Sequence, residues 1–195
     1  MNDIKIAGID YSMSSPAIAI EAANQFRFFF MVDSEKKIPE KTKFNSFVLH
    51  PIIKKKEFKS NTQRFDWISD WAVRILEANK IEKVFLEGYS FGSSGSRVFD
   101  IAENTGILKH KVMRMGITLE TVAPTSVKKF ATGKGTANKE RMEESFVAET
   151  KIDLRSYLSQ TDKQWNPSSD IIDSFFILKY GIQQQSEYSN NLATQ

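Results

Sequence analysis

Residues 4–10, Ile-Lys-Ile-Ala-Gly-Ile-Asp, set apolar side chains at Ile4, Ile6 and Ile9 with Ala7 and Gly8 between them. This is the pattern of a central strand buried on both faces. A chain that opens this way must supply a layer of structure on each side of a sheet, and the strand closes on a carboxylate, Asp10. After a turn carrying Ser12, Ser14, Ser15 and Pro16, residues 17–22 and 26–32 read as two further strands rich in Ala, Ile, Phe and Val. Ala23-Asn24-Gln25 between them is a hairpin turn, so the chain is expected to open as an antiparallel meander of three strands. Residues 33–60 are charged, Lys-rich and broken by Pro39 and Pro51, and read as a basic loop or insert with at most a short β excursion.

From Asn61 the period changes. Phe65, Ile68, Trp71, Ala72, Ile75 and Leu76 recur every three or four residues, one apolar helical stripe with Asn61 or Thr62 as its N-cap. Residues 84–86, Val-Phe-Leu, form a short buried strand ending on Glu87, and a Gly/Ser-rich turn runs from there to Ser96. A helix is predicted over 97–113, with Val98, Ile101, Ala102, Thr105, Leu108 and Val112 on one side and Gly116 as its stop. Ile117, Leu119 and Val122 alternate through a fifth strand. Pro124 opens a short helix over 127–130, and Gly133-Lys134-Gly135 leads into another over 138–149. Residues 151–169 look irregular, a last helix spans 169–180, and the Gln/Asn/Ser-rich residues 182–195 read as a disordered, frayed tail. The expected architecture is a three-layer α/β domain over 1–181, a mixed five-stranded sheet with helices on both faces. At 195 residues, a second full domain is not expected.

Composition narrows the chemistry. The chain has no Cys, which excludes a disulfide scaffold, a thiolate zinc site and a cysteine nucleophile, and its two His, His50 and His110, cannot build a polyhistidine centre. No apolar run approaches the roughly 20 residues of a membrane span, and the start lacks a signal-peptide pattern, so a cytoplasmic protein without membrane association is expected. The net charge is only +3, but cations cluster. Lys54, Lys55, Lys56, Lys59 and Arg64 stand against Glu57, and Lys128, Lys129, Lys134, Lys139 and Arg141 against Glu140. Two such clusters can follow the phosphates of a polyanion; each alone is also compatible with a solvated face.

Four acids stand at the ends or on the faces of these elements. Asp10 and Glu87 close two strands that, if adjacent, place both carboxylates at one sheet edge. Asp170 and Asp173, three apart, share one helix face. An all-oxygen nest of this kind suits hard divalent cations such as Mg²⁺, and two such ions about 4 Å apart can activate water for phosphodiester hydrolysis. Singly, each acid is also compatible with a turn former, a cap or a dipole partner.

Four blocks in this order resemble the RuvC-type Holliday junction resolvases of the RNase H-like (retroviral integrase) superfamily. Gly8-Ile9-Asp10 is similar to the first strand and first acid of that family, and residues 84–87, Val-Phe-Leu-Glu, to the strand carrying the second. Residues 123–128, Ala-Pro-Thr-Ser-Val-Lys, and 133–139, Gly-Lys-Gly-Thr-Ala-Asn-Lys, resemble two lysine-bearing segments. Asp170-Ile-Ile-Asp173 resembles the closing acid pair.

The resemblance implies a fold of the RNase H type and a metal-binding catalytic quartet of Asp10, Glu87, Asp170 and Asp173. It also places Lys128 and Lys139 near the scissile phosphate. Its implied activity is endonucleolytic resolution of four-way DNA junctions by paired nicks, with Mg²⁺, or Mn²⁺ in its place, as cofactor, two ions per active site and no organic cofactor. Paired cutting of a symmetric junction calls for a homodimer, for which the helix over 97–113 is the candidate contact. An aromatic wedge after the second acid is another family feature that Tyr89 or Phe91 could supply; either ring could equally be core filler. Lys129, Lys134, Arg141 and the Lys54–Lys55–Lys56 run are further candidate DNA contacts. The sequence departs from the family where Tyr11-Ser12-Met13 follows Asp10, so that loop is built differently. Competing readings are a nuclease of RNA/DNA hybrids, flaps or forks, a branched-DNA-binding protein without catalysis, and an α/β interaction domain.

Overall fold

The computed structural model describes residues 4–23, 25–33, 47–49, 57–89, 97–161 and 163–193. Strands β1 (Ile6–Asp10), β2 (Ala17–Ala22) and β3 (Gln25–Phe30) form the expected antiparallel meander. The chain then adds β4 (Phe47–Leu49), α1 (Asn61–Ala78), β5 (Lys83–Glu87), α2 (Arg97–Arg114), β6 (Thr118–Val122), α3 (Pro124–Thr132), α4 (Lys139–Thr150), α5 (Leu154–Tyr157) and α6 (Ser168–Ala193). β5 lies parallel to β1 and β6 parallel to β5, giving the order β4-β3-β2-β1-β5-β6. The five expected strands are all present. The sixth, β4, is the short β excursion within 33–60 and pairs parallel to β3 at the sheet edge.

Alternation along the strands sorts the core into two layers. Ala7, Ile9, Ile18, Ile20, Val84 and Leu86 pack with Ile68, Trp71, Ala72, Leu76, Leu108 and Val112 of α1 and α2. Ile6, Ala17, Ala19, Phe28, Phe30 and Phe85 pack on the other face with Val127, Met142, Phe146, Phe175 and Phe176 of α3, α4 and α6. Phe175 is the hub of that layer, edge-on to Phe26, Phe146 and Phe176 at centroid separations of 4.9–5.1 Å.

Several expectations are corrected. Ser60, not Asn61 or Thr62, caps α1, accepting from the Gln63 amide at 3.1 Å. On α2, Val98 and Ala102 are exposed while Asn104 is buried with Thr105, Leu108 and Val112. The irregular stretch 151–169 contains α5. The polar residues from 182 are no frayed tail as far as Ala193: they continue α6. Ile182 still packs on the core, Lys83 Nζ donates to Gln185 at 3.2 Å, and the Ser186 and Ser189 hydroxyls bond carbonyls one turn back.

Candidate active site

The placement of the four acids follows from strand alternation and helix rise. In β1, Ala7 and Ile9 face α1 and α2, so Ile6, Gly8 and Asp10 face α6. Gly8 lets α6 lie against bare backbone: a Cβ there would meet Leu178 N at 2.3 Å and Ser174 O at 2.4 Å. Two strand residues rise about 6.6 Å and four helix residues about 6 Å, so moving from Gly8 to Asp10 matches moving from Ser174 to Asp170. Ile9 pairs with Leu86 in the parallel ladder, which sets Asp10 beside Glu87 at the strand ends. Phe85 faces α6, where a Cβ on Gly181 would strike its ring at 2.3 Å, so Glu87, two residues on, faces α6 as well. Three separate elements thus deliver their carboxylates to one end of the sheet.

Their charges act on one another. Burial, then the charges of Glu87, Asp170 and Asp173, holds the Asp10 carboxyl well above the usual carboxylate range. Burial and the Asp173 charge push Glu87 up to about 8, against the pull of Lys128. Asp170, 7% exposed, is raised to about 7 mainly by burial, which outweighs a hydrogen bond from Ser15 and the charge of Lys139. Burial raises Asp173 to about 6 against both Lys128 and Lys139. Asp10 and Asp170 lie within hydrogen-bond reach of each other. Four acids so placed repel one another unless protons or cations neutralise them.

The lysines arrive by a folded-back connection. Gly133 ends α3 in the left-handed region at φ 80°, and Asn138 caps α4 by accepting from the Arg141 amide at 3.0 Å. Gly135 passes so close to Thr125 that a Cβ would meet its carbonyl oxygen at 3.0 Å. This turn brings Lys139 toward Asp170 and Asp173, while Lys128 from α3 reaches Glu87 and Asp173.

The donor set fits a hard divalent cation, being all oxygen, and Asp170 Oδ2 is buried without a permanent hydrogen-bond donor among the described residues. Among the described residues, no three acid or imidazole groups stand close enough together to hold a metal ion without some adjustment of side chains.

Of the remaining sequence-predicted residues, Lys129 and Lys134 are exposed on α3 and its C-terminal loop, and Arg141 is exposed in an ion pair with Glu144 at 2.7 Å. Tyr89 is 50% exposed, with Lys109 Nζ 5.4 Å from its ring centre, so it is not core filler. Phe91, Lys54, Lys55 and Lys56 lie outside the described residues. Sequence reasoning missed Ser15, Asn166 and Ser169. Asn166 Nδ2 donates to Ser15 Oγ at 2.8 Å and to Asp170 Oδ1 at 3.2 Å, and Lys139 Nζ donates to Ser169 Oγ at 3.4 Å.

A mixed sheet in this order, covered on both faces, with acids closing β1 and β5 and lining the start of α6, defines an α/β domain of the RNase H-like class. The family model described as crossover junction endodeoxyribonuclease RuvC matches residues 38–161, and the chain belongs to that family. The matched span holds Glu87, Lys128 and Lys139; Asp10, Asp170 and Asp173 lie outside it. Nucleases of this family depend on divalent metal. The fold is similar to that of Thermus thermophilus RuvC, at a TM-score of 0.59 and 16% identity over 94% of this chain and 97% of that one. T. thermophilus RuvC in complex with a Holliday junction substrate aligns at 0.56 and 14% identity, over 90% of each chain. The yeast mitochondrial Holliday junction resolvase Ydc2 aligns at 0.56 and 12% identity, over 96% of this chain and 81% of that one. No curated protein sequence matches the chain significantly.

Proposed function

We propose that the protein is an endodeoxyribonuclease that resolves four-way DNA junctions, with Asp10, Glu87, Asp170 and Asp173 as its metal-holding quartet. The observation that carries this reading is the convergence of four mutually destabilised carboxylates and two lysines at the ends of β1 and β5. Family membership supplies the reaction class, and the similar fold of T. thermophilus RuvC, solved with a Holliday junction substrate, supports the substrate. Divalent cations, Mg²⁺ or Mn²⁺ and two per site, would supply Lewis acidity to the phosphodiester and lower the pKa of the attacking water.

The chain's own residues hold and orient. Asp10 and Glu87 are fixed by adjacent strands whose hydrogen bonds leave their backbones little freedom. Asp170 and Asp173 share one face of α6, which is anchored on β1 by contact at Gly8. Lys128 and Lys139 balance the acids and meet the non-bridging oxygens of the bound phosphate, where charge grows during reaction. Lys129, Lys134 and Arg141 extend this cationic surface along the strand, and exposed Tyr89 stacks on an unpaired base at the junction centre. Two protomers related by a two-fold axis present two such sites; α2, with Phe99 72% and Met113 64% exposed, supplies the contact.

The test is cleavage of an end-labelled four-way junction, a matched linear duplex, a flap and an RNA/DNA hybrid in Mg²⁺, Mn²⁺ or EDTA. Metal-dependent nicks in the junction alone support the reading. Preferential cutting of the hybrid or flap assigns the same site to another substrate, and tight junction binding without cutting makes the protein a binding module.

A further inference from the structure

Asn166 sits just before α6 and joins parts of the chain that are far apart in sequence. Its Nδ2 donates to the hydroxyl of Ser15, 151 positions away, at 2.8 Å, and to Asp170 Oδ1 at 3.2 Å. Its Oδ1 accepts from the Ser169 hydroxyl at 3.3 Å, and Ser169 Oγ in turn accepts from Lys139 Nζ at 3.4 Å. The backbone carbonyl of Asn166 accepts from Gln160 Nε2 at 2.6 Å, which ties the residue to the segment after α5. Ser15 is fully buried, its amide bonded to Ser12 Oγ at 2.8 Å, so the loop after Asp10 is itself pinned.

We propose that Asn166 is a positioning residue of the nuclease centre, its amide holding the Asp170 carboxylate and, through Ser169, the Lys139 ammonium in register with the loop that follows Asp10. The inference rests on the reading of the four acids as a metal-holding quartet. The chemistry of the amide fits the task. A carboxylate only accepts hydrogen bonds and an ammonium only donates them, and asparagine carries both a donor end and an acceptor end on one rigid plane. With the NH₂ toward Asp170, Oδ1 of that carboxylate is occupied by a neutral donor. Oδ2 is left buried with no hydrogen-bond donor among the described residues and open to a cation. Partners that orient a ligand in this way typically change metal affinity or activity by about 10–100-fold when removed.

The experiment compares Asn166→Ala, Asn166→Asp and Ser15→Ala with the wild-type chain. Three quantities are read: Mn²⁺ affinity of the DNA-free protein by electron paramagnetic resonance, junction affinity in EDTA, and the single-turnover cleavage rate at saturating junction. Asn166→Ala and Ser15→Ala are expected to weaken Mn²⁺ binding about 10-fold or more and to slow cleavage by about 10–100-fold. Junction affinity in EDTA should stay unchanged. The double variant should lose less than the two single losses combined, because Asn166 and Ser15 bond each other and both reach Asp170. Asn166→Asp keeps the shape but has no N–H to give, and is expected to cut as slowly as the alanine variant or more slowly.

Wild-type Mn²⁺ affinity in both alanine variants, wild-type cleavage by Asn166→Asp, or a loss confined to junction affinity overturns the proposal. Should Asn166→Ala fail to fold, Asn166→Asp, which keeps the shape and removes both N–H donors, carries the same test. If the wild-type protein binds Mn²⁺ yet cuts no junction, the substrate reading fails, and the variant Mn²⁺ affinities still decide the role of Asn166.

Discussion

Gly8→Ala is expected to disable the enzyme from the far side of its site. A carbon added at Gly8 would sit 2.3 Å from Leu178 N, 2.4 Å from Ser174 O and 2.7 Å from Leu178 Cα. All three atoms are backbone of α6, so no change of rotamer relieves the overlap, and the helix must lift from β1 by about 1 Å. Over-packing of this kind costs about 1–3 kcal/mol, and a domain of this size loses roughly 2–4 °C of Tm per kcal/mol. Ser174 adjoins Asp173 and stands one turn from Asp170, so the lift falls on two of the four acids. Misplacing a reacting group by about 1 Å lowers a rate by about 100-fold. The assay is single-turnover cleavage of a four-way junction in saturating Mg²⁺, with thermal melting alongside. Gly106→Ala, which adds a carbon to α2 with nothing within 4 Å, serves as the melting control and should not lower Tm. Gly8→Ala cutting within twofold of wild type, with unchanged Tm, would refute the argument that α6 is set by backbone contact at this glycine.

Asp10→Asn should abolish cutting while junction affinity, measured by gel shift in EDTA, stays within a few-fold of wild type; substantial residual cleavage would remove Asp10 from the catalytic set. The metal-free protein should lose stability as pH rises. Glu87, Asp170 and Asp173 have pKa values raised to about 8, 7 and 6, so the folded state holds protons that the unfolded chain releases near pH 4. That stabilisation is complete below the unfolded values and is lost as pH passes through 6–8, so Tm in EDTA should fall from pH 5.5 to 8.5 and Mn²⁺ should restore it at pH 8.5. A Tm in EDTA that is flat or rises over that range contradicts the coupling of the acids. Lys128→Ala and Lys139→Ala should each lower the single-turnover rate by about 10-fold or more if, as proposed, each ammonium stands beside the reacting phosphate; a loss confined to junction affinity would make them binding residues only.

Much of the candidate site was legible because its placement rests on local rules. The run of small and apolar residues before Asp10 specifies a doubly covered strand, and a second short strand ending on Glu87 can pair beside it. The spacing of Asp170 and Asp173 fixes a shared helix face. What escaped depends on tertiary neighbours. β4 is three residues in a Lys-rich segment and exists because β3 offers it an edge. The polar end of α6 is poor in apolar signal, yet Gly181 against Phe85 and Lys83 against Gln185 continue its docking on the sheet. On α2 the periodic stripe was visible, but the rotation that buries Asn104 in place of Val98 and Ala102 is set by packing against α1 and β6. Ser15 and Asn166 carry no local signature at all, since their link spans 151 positions.

In the proposed centre, β1, β5 and α6 bring Asp10, Glu87, Asp170 and Asp173 together around bound cations. Anomalous scattering from crystals of the protein grown with Mn²⁺ tests it most directly. A strong anomalous peak enclosed by these four carboxylates, lost in Asp10→Asn, is expected. A Mn²⁺ peak seated on other residues, or no peak at the ends of β1 and β5 at a Mn²⁺ concentration that supports cleavage, would contradict it.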